Sequence, residues 1–101
     1  AHQAFSEFPL PKEAKSVRFE FKLELSRRES SVLHDLVWYK GQQEIGRTTT
    51  QYMNWLSETY DITTPTVAIP VGADRLFTIV HPFQASDGEL TVVESHVSWV
   101  R

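Results

Sequence analysis

Val17 to Leu25 alternates without a break: Val17, Phe19, Phe21, Leu23 and Leu25 are apolar, and Arg18, Glu20, Lys22 and Glu24 are charged. A period of two puts all the apolar side chains on one side of an extended strand, whereas a helix would scatter them around its circumference. The segment is therefore predicted as a strand with one face in a core and one in water. Such a strand needs a second layer to cover its apolar face, and sandwiches or barrels supply one.

The remainder of the chain repeats the theme in shorter pieces. Val32 to Tyr39 reads as a strand with Val32, Leu36 and Trp38 on one face, after a polar break at Ser26–Ser31. Lys40-Gly41-Gln42 turns the chain, and Glu44 to Met53 returns as a Thr-rich strand; the more polar second arm belongs near an edge. Tyr52 to Ile62 fits either a short helix or a strand. Thr66–Val71 is a short strand bracketed by Pro65 and Pro70, which suits an edge. Arg75 to Phe83 and Glu89 to Val100 complete the series, with a turn at Asp87-Gly88 and a bulge signal at Val92-Val93. Residues 1–15, where Pro9 and Pro11 interrupt Phe5, Phe8 and Leu10, read as an extended N-terminal segment, and 16–101 as the folded domain.

About seven short strands with turns between them give an all-β fold, an antiparallel β-sandwich of Ig-like type, with a small β-barrel as runner-up. Trp38 falls where the third strand of an Ig-like sandwich carries its core Trp, although the chain has no cysteine and hence no disulfide.

Composition narrows the function classes. With 101 residues the chain is one domain in length, and 10 basic against 13 acidic residues argue against a nucleic-acid binder. No apolar run is long enough for a membrane helix, so no membrane insertion is expected. The absence of cysteine removes thiol catalysis and zinc ribbons. Residues 1–50 hold eight basic and seven acidic groups and residues 51–101 hold two and six, an imbalance read as chance.

Catalytic constellations are weak. His34, His81 and His96 lie on separate segments, without the spacing of metal ligands on one element. Asp35 follows His34 directly, and neighbours on a strand point to opposite faces, so Asp35 cannot orient that ring. Gly41, Gly46, Gly72 and Gly88 stand singly at turns, not in a phosphate-cradling loop. The expectation is no enzyme, no catalytic residue, no metal and no cofactor. The acids Glu58 and Asp61 read as a solvated face.

One cluster points to binding. Tyr52, Trp55 and Tyr60 place large rings within nine residues of the least regular segment. Tyr and Trp combine apolar area with a polar handle and are enriched at interfaces. The resulting expectation is a noncatalytic protein-interaction module of an exported or envelope-associated bacterial protein, periplasmic or extracellular. Its protein partner would meet Tyr52, Trp55 and Tyr60 or an edge strand. The alternative is a carbohydrate-binding module stacking a glycan on the same rings.

Overall fold

The computed structural model describes residues 3–83 and 89–101, apart from the side chains of Trp55 and Leu56. The expected Asp87-Gly88 turn lies outside the described residues. The strands are β1 (Ala4–Pro9), β2 (Ser16–Lys40), β3 (Gln43–Thr63), β4 (Val67–Ala68), β5 (Arg75–Pro82) and β6 (Leu90–Val100). Every pairing between them is antiparallel.

Two long strands build both layers. β2 and β3 form one hairpin, closed at Gly41, whose φ of 59° suits a residue without a Cβ. The hairpin bends over on itself. The first half of β2 pairs with β6, from Ser16↔Val100 to Leu25↔Leu90, and with the far end of β3, from Glu20↔Thr63 to Glu24↔Thr59. The second half pairs with β5 and the near end of β3, and β1 adds outside β5 in the order β1-β5-β2-β3. One three-stranded layer and one four-stranded layer thus face each other, with a single strand threading both.

The corner sits where the sequence turns polar. Register shifts fall between Glu24 and Glu29 and between Glu29 and Ser31. The stretch expected as a break between two strands is instead a bulged bend in one, because extra residues on one strand turn it sharply without ending its ladder. Ser26 ties this corner to the start of β6: Glu89 N donates to Ser26 Oγ at 2.7 Å, and Ser26 N donates to Glu89 O at 2.9 Å. Tyr52 to Ile62, ambiguous in sequence, is strand throughout. The lead-in segment supplies β1, paired with β5 from Ala4↔Val80 to Pro9↔Arg75. Lys22 pairs with Glu94 and Leu23 with Val92, so Val93 is the extra residue of a bulge.

The core lies between the halves of β2. Val17, Phe19, Phe21, Leu23 and Leu25 all point inward and are buried, as are Val32, Leu36 and Trp38 from the other layer. Contact across the layers is direct. His34 lies 5.4 Å from the Phe19 ring and 4.9 Å from the Phe21 ring, and Phe8 of β1 lies 5.7 Å from Phe19. A buried bond closes the three-stranded layer, where Phe19 N donates to Thr64 Oγ1 at 2.9 Å.

Candidate functional site

The register decides which side chains leave the core. In the second half of β2, Val32, His34, Leu36 and Trp38 point inward, so Leu33, Asp35, Val37 and Tyr39 point out. Their partners share that outer face. Arg47, Val37, Phe77 and Glu7 form one row across the four strands, and Thr49, Asp35, Ile79 and Phe5 form the next. Both faces of this stretch of β2 are covered: Asp35 and Val37 are buried although they point away from the sandwich core. Their neighbours on β3 and β5 enclose them.

At one end the face is aromatic. Phe5 and Phe77 stack with centroids 5.6 Å apart and planes at 28°. The Arg75 guanidinium lies 5.0 Å above the Tyr39 ring, a cation–π placement. It is held by Glu7 Oε1 and Gly41 O, each 2.9 Å from a guanidinium nitrogen. Glu7, Tyr39, Arg75 and Phe77 enclose a depression of about 220 Å3.

Beside the rings runs a polar row. Thr49 Oγ1 donates to Asp35 Oδ1 at 2.7 Å, and Arg47 Nη1 and His81 Nε2 approach Asp35 Oδ2 at 3.9 and 3.6 Å. His81 Nδ1 also sits 3.0 Å from Pro82 O. Arg47 also pairs with Glu44 at 3.2 Å. The arrangement places partly exposed rings next to donors and acceptors fixed by one another. It can bind a ligand with flat apolar faces and polar edges; among the described residues no group of three metal-ligating side chains forms.

The opposite outer face has another character. Arg18, Glu20, Lys22 and Glu24 leave the first half of β2 there, and Glu20, Lys22, Asp61, Glu94 and His96 line a shallow cleft. That face is charged and solvated.

The sequence-derived site residues lie elsewhere. Tyr60 is in the core, 3% exposed, with its hydroxyl donating to Glu29 O at 2.6 Å. Tyr52 points inward from β3 opposite Val32, packs against the same core, and its buried hydroxyl has no partner among the described residues. Burial pushes both phenols up. The Trp55 side chain lies outside the described residues. Tyr52 and Tyr60 therefore share an interior, not an exposed platform. Read from sequence, Phe5, Tyr39, Phe77, Arg75 and Asp35 receive no binding role, yet a signal exists. Val32–Tyr39 carries apolar residues on both faces, more than a strand with one wet side requires.

No known protein family matches the chain, and no curated protein does. Among solved structures, the fold resembles TmCBM61 in complex with β-1,4-galactotriose, a carbohydrate-binding module, with a TM-score of 0.51 and 16% identity. The likeness covers 97% of this chain and 62% of that one, so the chain spans less than two thirds of its neighbour's length. At that identity the likeness is one of fold, a β-sandwich. Among the described residues no helix is long and apolar enough to cross a membrane.

Proposed function

We propose that the chain is a noncatalytic β-sandwich module that binds a glycan on the outer face of its four-stranded layer. The observation that carries this reading is the adjacency of Phe77, Phe5 and Tyr39 to the fixed polar row of Asp35, Thr49 and Arg47. A sugar ring has apolar C–H faces and a rim of hydroxyls. The exposed ring surface takes the former, and the Thr49 hydroxyl and Arg47 guanidinium take the latter. Charge-assisted hydrogen bonds from Arg47, itself beside Asp35, supply orientation. The fold shared with TmCBM61 supports the reading, and the galactotriose bound there makes β-1,4-galacto-oligosaccharides the first ligands to try. An extracellular or periplasmic setting, where polysaccharides are met, accords with it.

Calorimetric titration with galacto-, cello- and xylo-oligosaccharides is the test. Saturable binding of one series is expected. Phe77→Ala and Tyr39→Ala should each weaken it about tenfold, a loss of about 1.4 kcal/mol. Their circular dichroism spectra should match that of the unaltered chain. Binding that survives both substitutions moves the site off this face.

A protein partner is the second reading, and the rim favours it. Phe5, Phe83 and Met53 are 56%, 54% and 78% exposed around the same sheet. Exposed apolar groups of this size mark contact surfaces when they cluster. A chain that binds no oligosaccharide at millimolar concentration is expected to use that rim for a protein.

A further inference from the structure

Between the layers, on the side where β1 and β6 are edge strands, the sandwich opens into a cavity of about 180 Å3. Its walls are mainly apolar, from Phe8, Phe19, Phe21, Val80 and Val97, with Ser6, Thr78, Ser95 and His96 as polar lining beside His34. His34 reaches into it from the floor. The residue is 3% exposed, its ring is flanked by Phe19 and Phe21, and it lines the cavity. An imidazole lining a cavity presents its ring nitrogens to a ligand atom.

We propose that this cavity is a binding site for a small uncharged ring compound bearing one hydroxyl, its ring among Phe8, Phe19 and Phe21 and its hydroxyl on His34. The size suits such a guest, since an apolar cavity of about 150 Å3 holds benzene. The three phenylalanines present faces and edges for offset or T-shaped ring contacts. Burial lowers the His34 pKa to about 4 against the opposing influence of Asp35, so the ring is neutral at pH 7 and offers one acceptor nitrogen and one N–H. A charged guest would lose its hydration among walls that hold no carboxylate, lysine or arginine. The site is separate from the outer face, because His34 and Val80 point inward from the same strands whose odd-numbered residues point out.

The probe is phenol, compared with benzene, followed by NMR of the histidine ring resonances. Saturable shifts of the His34 signals are expected, with phenol binding about fivefold tighter than benzene, the increment of one hydrogen bond. His34→Phe, which keeps a ring among rings, should bring the two affinities together. If that variant does not fold, the phenol-to-benzene ratio in the unaltered chain decides. Equal affinities there, or His34 signals unmoved up to the solubility of phenol, overturn the assignment.

Discussion

His34 and Asp35 are neighbours in the chain and opposites in environment. The first points into the sandwich among phenylalanines; the second points out, held by Thr49 and Arg47 with His81 beside it. This much was legible from alternation alone, since a period of two separates adjacent residues onto opposite faces. A pH dependence follows. An imidazole free in the unfolded chain titrates near 6.5, whereas burial holds His34 at about 4 in the fold. Acid therefore favours the unfolded chain, which binds the proton more readily. The stabilisation from a neutral His34 is complete above pH 6.5 and is lost as pH falls from there toward 4, by roughly 3 kcal/mol in all. Urea unfolding of His34→Phe should show a flatter profile over that window than the unaltered chain; parallel profiles would remove His34 as the cause. Tyr52 and Tyr60 show where residue-level reading stops. Their expected place on a binding surface rests on the irregularity of their segment; that segment is strand with register shifts between Met53 and Thr59, and both rings pack against the core. Ring size and polarity suit an interface and a core equally, so only the register decides.

At the scale of elements, the inward stripe of Val17–Leu25 and the hairpin through Gly41 were readable because period and turn chemistry are local. The fusion of segments into β2 and β3 was not. A polar run such as Ser26–Ser31 has the same composition whether it ends a strand or bends one. The difference lies in partners distant in sequence, here Glu89 and the β3 backbone. Thr66–Val71 shrinks to the two residues of β4, because Pro65 and Pro70 leave few free donors. One long-range bond offers a test. Thr64 Oγ1 accepts from Phe19 N in a buried setting. Thr64→Val keeps the shape and strands that N–H without an acceptor, so unfolding free energy should fall by about 1–3 kcal/mol. A loss below about 0.5 kcal/mol would show that the amide finds another partner.

Across the whole molecule, the two outer faces divide the labour. The three-stranded layer turns Arg18, Glu20, Lys22 and Glu24 to water, and the four-stranded layer turns out rings and a fixed polar row. Charge alone could not distinguish them, since both layers are built from the same two strands. The double variant Lys22→Ala/Glu94→Ala should leave glycan affinity within about twofold, as expected for surface changes remote from a site. A tenfold loss in calorimetry would place the ligand on the charged side instead. The continuity of β2 has one more consequence. A slip of one residue against β3 would evert both hydrophobic stripes together, sending Leu23 and Trp38 outward in a single step. Each half of the hairpin thereby locks the alignment of the other, and a chain with few residues obtains a unique pairing without a cross-link.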